Sequence, residues 1–154
     1  LNKPGFQPSL KGRALRLLSQ REHSRAELER KLAPHETVPG ELAKALDELQ
    51  TRDFLNDGRA IESVVHRRAG KWGTAKVQQE LIAKGLIGEA VAHALANLKD
   101  TELSRAREVW RKKFGSPPPD PQTRAKHMRF LLTRGFNAEV VRQVVRGADE
   151  DDFG

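Results

Sequence analysis

The chain has 154 residues, no cysteine, 5% aromatic and 32% charged residues, a mean hydropathy of −0.67 and a formal net charge of +7. That length suits one ordinary domain or a short array, and the missing cysteine excludes disulfides and thiolate chemistry and fits a reducing compartment. No apolar run approaches the roughly 20 residues of a membrane span and no signal-peptide pattern opens the chain, so the protein reads as soluble and cytoplasmic.

Residues 1–8 carry Pro4, Gly5 and Pro8 and read as a flexible leader. Ser9 is placed to cap a first helix that carries Leu10, Ala14, Leu17 and Leu18 on one face. Ser24 and Glu27 form a capping box for a second helix, with Leu28 and Leu32 four apart and Pro34 as its stop. Pro39 suits the first turn of a third helix that turns Leu42, Leu46 and Leu49 inward. After the apolar pair Phe54-Leu55, Asn56 or Asp57 caps a helix with Ala60, Ile61, Val64, Val65 and Ala69 on one side. Gly70 and Gly73 bracket Trp72 in a tight turn, and Thr74 opens a helix through Val77 and Leu81 that ends at Lys84-Gly85. Residues 88–98 complete this second set of three helices. A third set begins near Thr101, with Ala106, Val109, Trp110 and Phe114 inward, then a stiff connector at 115–119. Its second helix, about 122–134, ends in Arg134-Gly135-Phe136, which parallels Lys84-Gly85-Leu86; Asn137 caps its last.

The same small and large apolar positions open the sets at 14–18, 60–64 and 106–110, a period of about fifty residues that marks a repeat array. Each large apolar side chain contributes roughly 1.5–3 kcal/mol on burial, against about 1–2 kcal/mol per residue for ordering the backbone. One set alone is therefore not self-sufficient, and neighbour contacts are required. The expectation is all-α: an elongated array of three tandem three-helix units at 9–54, 55–99 and 100–147, ending in an acidic flexible tail at 148–154. Such an array works along a surface rather than in a cleft.

Charge is uneven. Residues 105–147 hold 11 Lys and Arg against 3 Asp and Glu, whereas 1–55 hold 10 against 8. That asymmetry points to a polyanionic partner such as nucleic acid, with a solvated helical face as the bland alternative. The candidate contacts are Arg67, Arg68, Lys71, Lys76 and Lys84 in the second unit, and Arg105, Arg111, Lys112, Lys113, Arg124, Lys126 and Arg129 in the third. Arg68 equally suits a stem laid over the apolar seam, and Lys84 a helix-end charge. Trp72 and Trp110 fall on the apolar stripe and read as packing residues rather than base-stacking ones. Catalytic chemistry has no visible carriers. His23, His35, His66, His93 and His127 never pair at a helical metal-ligand spacing, and no nucleophile elbow, phosphate loop or dinucleotide fingerprint is present. The acids at 149–152 read as a solvated tail rather than a cation site. No enzyme activity, cofactor or metal is expected.

Phe54-Leu55-Asn56-Asp57, the basic end of 65–68, Gly70 with Gly73, Val77, Glu80-Leu81 and Lys84-Gly85-Leu86 together resemble the RecX family of bacterial regulatory proteins. The opening Ala14-Leu15-Arg16-Leu17-Leu18, Arg21, His23-Ser24-Arg25-Ala26-Glu27-Leu28 and Lys31-Leu32 is similar to that family's first unit, and Phe130-Leu131-Leu132 with Arg134-Gly135-Phe136 to its third. The likeness runs from about Leu10 to Arg146, with Ala60 and Val64 where the family often has aromatic residues. The resemblance implies a non-catalytic modulator of the RecA recombinase, usually an inhibitor. It would lie as a monomer along the RecA–DNA filament and touch single- or double-stranded DNA weakly. The residues themselves leave open a stand-alone DNA-binding module or transcription regulator, which would grip bare DNA tightly and lose it steeply with salt.

Overall fold

A computed structural model of the chain describes residues 7–151, with side chains to Gly147. The leader expected at 1–8 falls outside the described residues as far as Phe6, as does the end of the acidic tail at 152–154. Among the described residues the chain forms α-helices and no strand. In order they are α1 (Leu10–Gln20), α2 (Arg25–Leu32), α3 (Glu41–Thr51), α4 (Asp57–Arg68), α5 (Thr74–Ala83), α6 (Glu89–Asp100), α7 (Glu102–Lys113), α8 (Pro121–Thr133) and α9 (Ala138–Asp151). Three helices per repeat, three times over, is the tandem pattern that the sequence periodicity predicts.

Local chemistry sets most helix ends. The Ser9 hydroxyl accepts from the Gly12 N–H at 3.0 Å to start α1, and Ser24 and Glu27 close a complete capping box on α2. Pro34 does not stop the chain dead after α2; it tightens the end into a 3-10 turn, Ala33–His35. Pro39 lies outside α3, which begins at Glu41 after Gly40 in a left-handed conformation. Asn56 rather than Asp57 caps α4, its Oδ1 accepting from the Arg59 N–H at 3.0 Å. Asp120 caps α8 through the Thr123 N–H at 2.7 Å, and Asn137 caps α9 through the Glu139 N–H at 2.8 Å. The α9 backbone stays helical to Asp151, into the segment read as a tail.

The helices cluster into two compact units. One comprises residues up to Ser63 together with Lys84–Leu86; the other comprises Val64–Ala83 and the residues from Ile87 on. In the first, Leu10, Ala14, Leu28, Leu32, Leu42, Leu46, Leu49 and Leu55 make a continuous core from α1, α2 and α3. In the second, Ala106, Leu131, Phe136, Val141, Val144 and Val145 do the same for α7, α8 and α9. Ala60 and Val64 are both buried, so the small side chains at those positions of α4 are packing residues.

Each unit contains one inter-repeat joint, and the two joints have the same plan. In the first unit the turn Lys84-Gly85-Leu86 docks on the start of α2: the Ser24 hydroxyl donates to the Lys84 carbonyl at 2.5 Å, while Asp57 accepts from the Arg25 N–H at 2.9 Å. In the second unit the turn Arg134-Gly135-Phe136 docks on the start of α5: the Gly73 N–H donates to the Arg134 carbonyl at 2.7 Å, while Glu102 accepts from the Thr74 N–H at 2.6 Å. Gly85 and Gly135 both hold positive φ (70° and 88°), which ends their helices in the left-handed turn that brings the carbonyl to its donor. In each case a carboxylate from the first turn of the next repeat stands at the positive end of a helix in the preceding one. This is the neighbour contact that the marginal burial per repeat requires.

Candidate polyanion-binding groove

The candidate cations divide by what their charged ends touch. Arg105 is a staple, not a free contact. Its guanidinium donates to the Ala69 carbonyl at 2.8 Å, the Trp72 carbonyl at 2.5 Å and the Leu98 carbonyl at 2.9 Å, and reaches the Thr74 hydroxyl at 3.3 Å. It therefore holds the 69–74 turn to α7 rather than facing outward. Lys84 belongs to the first compact unit, where its ammonium is 3.6 Å from the buried Glu27 carboxylate. Arg68 and Lys76 cover the Trp72 ring at 4.2 and 4.5 Å, and Arg68 also pairs with Glu80 at 3.0 Å. Trp72 is thus a packing platform for two cations. Arg111 is bound bidentately by Glu108 at 2.6 and 3.0 Å. Lys126 and Arg129 are exposed along α8, and Arg124 is half-buried on the same helix.

The remaining four, Arg67, Lys71, Lys112 and Lys113, are brought together. With His66, Gly70, Val109, Phe130 and Arg134 they line an open groove of about 520 Å3 between the end of α4, α7 and α8. Among the described residues no carboxylate lines it. Arg67 is held 3.3 Å from Glu80, and Lys112 lies 3.8 Å from Glu108 at the rim. Phe130 forms the apolar floor, with the Lys113 ammonium 5.4 Å and the Arg134 guanidinium 4.9 Å from its ring centre. These cation–π contacts pre-place two charges beside the groove.

The floor is itself anchored. Phe114 packs edge-on to Phe130 (centroids 5.5 Å apart) and stacks on His127 at 3.7 Å. The Trp110 indole N–H donates to His127 Nδ1 at 3.1 Å. That bond needs an unprotonated Nδ1. Burial, and secondarily the charge of Lys126, lower the His127 pKa, the direction that favours this bond. His23 is buried too, its ring accepting from Lys31 at 3.4 Å and donating to the Arg21 carbonyl at 3.0 Å, and burial likewise lowers its pKa. Both histidines are buried among core side chains. Arg134 was visible in sequence only as a helix-ending turn; its part in the groove, like that of Phe130 and His66, comes from residues that the fold draws together across a long stretch of chain.

Among the described residues no set of three or more His, Cys, Asp or Glu side chains is placed to hold a metal ion, and no helix is long and apolar enough to cross a membrane. The side chains of the acids at 149–152 lie outside the described residues.

Comparison with known proteins agrees with the triple repeat. Models of the first, second and third three-helix domains of RecX match residues 11–49, 56–95 and 100–145 in order. Proteins named regulatory protein RecX are similar over nearly the whole chain. That of Leptothrix cholodnii is 54% identical over 97% of this chain and 94% of its own, and that of Ralstonia nicotianae is 49% identical over 92% and 89%. The crystal structure of RecX from Lactobacillus salivarius superposes with a TM-score of 0.75 at 20% identity, covering 91% of this chain and 94% of that one, and so shares the fold.

Proposed function

The chain belongs to the RecX family of regulatory proteins, which are not enzymes, and on that premise we propose that it modulates the RecA recombinase as an inhibitor. In this reading it binds as a monomer along the RecA–DNA filament in the cytoplasm and alters filament growth, strand exchange, ATP hydrolysis and coprotease action. The observation that carries the reading is the ordered match of all three RecX domains along one chain, joined twice by the same contact. A partner built of repeating protomers suits a protein built of repeats, and cations along the repeats suit a partner that contains DNA.

The test is RecA-driven strand exchange and ATP hydrolysis with purified protein at stoichiometric excess. Both rates fall if the proposal holds; unchanged rates end it. The joint replacement of Arg111, Lys112 and Lys113 by alanine weakens filament binding without unfolding the chain, because all three are exposed on α7. The basic groove favours one second reading, a stand-alone DNA-binding module or transcription regulator. That reading requires tight binding to bare DNA without RecA, whereas weak binding to bare DNA with strong binding to filaments supports the first.

A further inference from the structure

We propose that the groove formed by the end of α4, α7 and α8 is a phosphodiester-binding site whose affinity is limited from within by Glu80 and Glu108. The proposal deepens the reading of a DNA-containing partner and rests on it only for the identity of the polymer. Five cations (Arg67, Lys71, Lys112, Lys113 and Arg134) meet at the groove, and among the described residues no carboxylate lines it. They are not equivalent. Arg67 is engaged by Glu80 and Lys112 by Glu108, which also holds Arg111. Lys71, Lys113 and Arg134 have no carboxylate partner within ion-pair distance among the described residues, and two of these three are set by the Phe130 ring. The groove thus presents three ready charges and two that must be released from an internal acid.

A linear polyanion with regularly spaced charges meets those conditions. Its first phosphates engage Lys71, Lys113 and Arg134, and later ones exchange with the carboxylates on Lys112 and Arg67. The aromatic floor at Phe130, beside Val109, favours a nucleic acid, whose bases offer flat faces to lie on it, over an acidic peptide, whose carboxylate side chains have none. Gly70 at the groove wall has open space where a side chain would project, so the strand approaches the backbone there. Glu108 is exposed and, among the described residues, its ion pairs run along its own helix, which makes it a removable competitor rather than a structural residue.

The experiment is a titration of fluorescein-labelled oligothymidylate with the full chain, without RecA, over a series of salt concentrations. It compares the parent protein with Lys71→Glu/Lys113→Glu and with Glu108→Gln, with thermal melts as the folding control. The double variant is expected to bind about tenfold more weakly with a salt slope shallower by about 1.4, the value for two lost single-strand phosphate contacts. Glu108→Gln is expected to bind about twofold to threefold more tightly, a change that a purely structural role would not produce. Parent-like binding by the folded double variant overturns the site, and weaker binding by Glu108→Gln overturns the internal competition. Displacement of the oligonucleotide by polyglutamate at equal charge overturns the choice of phosphodiester. RecA inhibition that fails while these affinities change as expected rejects the RecA reading alone; inhibition that persists in the double variant with no change in oligonucleotide affinity rejects the groove alone.

Discussion

The two joints solve one geometric problem with different chemistry. At the first, the helix start is Ser24, whose hydroxyl both accepts from Glu27 N–H and donates to the Lys84 carbonyl, and an ionic group surrounds it: Glu27 contacts Arg21 at 2.8 Å and Lys84 at 3.6 Å. At the second, the helix start is Gly73, which has no side chain to offer and donates through its own backbone. There the space that a hydroxymethyl group would fill is taken by the Gly135 carbonyl, and Glu102 and Arg105 supply the polar ties. Glu102 also receives the Asn137 N–H at 3.3 Å, so one carboxylate serves two segments. At one joint an ion cluster surrounds a side-chain cap; the other is steric, and its charged groups are fastened to main-chain atoms.

Mutations separate the two. Gly73→Ala drives a Cβ into the Gly135 carbonyl, backbone that has no rotamer with which to yield, and should destabilise by about 3 kcal/mol, measured by urea denaturation. A loss below half that would mean that the second joint is loose. Ser24→Ala removes a cap and a donor from the first joint and should cost about 1–2 kcal/mol by the same measurement.

A pH series distinguishes the joints further. Burial alone would raise the Glu27 carboxyl, but hydrogen bonds from Arg21 and the Ser24 N–H, with the charges of Lys84 and Arg21, outweigh it and hold the group at about 2, against an ordinary 4.5. A depressed folded value means that this contribution is whole above about pH 4.5 and is lost as pH falls toward 2. The melting temperature of the parent should therefore drop across that window more than that of Glu27→Gln, and parallel curves would refute the ionic description of the joint. The smallest effect is expected from Lys84→Met. It removes one partner at 3.6 Å while Arg21 remains at 2.8 Å, a change of about 1 kcal/mol or less that high salt should reduce.

What could be read from the sequence follows the range of the interactions. Helices and caps are local: the Ser24–Glu27 box spans three residues, and the apolar stripes repeat within a turn or two, so both are legible in the chain. The joints are not. Asp57 reaches Arg25, and Glu102 reaches Thr74, across separations that no local pattern encodes. Arg105 illustrates the cost of reading charge alone, because a cation in a basic stretch looks available until the carbonyls around it are known. The groove was half legible. Lys112 and Lys113 stand together in the basic third repeat, but Arg67 and Lys71 join them only because Arg105 of α7 ties down the turn that follows α4, and Arg134 arrives from the end of α8.

The end of α8's partner turn is docked on α5, yet the start of α8 is closed by Asp120 from within its own segment. The starts of α2 and α5 instead each receive a later stretch of the polypeptide. The start of α8 is thus capped within its own segment, as α2 also is by Ser24 and Glu27, whereas α5 begins on Gly73 and takes its carboxylate acceptor from Glu102. Docking between repeats is in this sense set by a handful of capping atoms, not by the leucine and valine stripes that all three share.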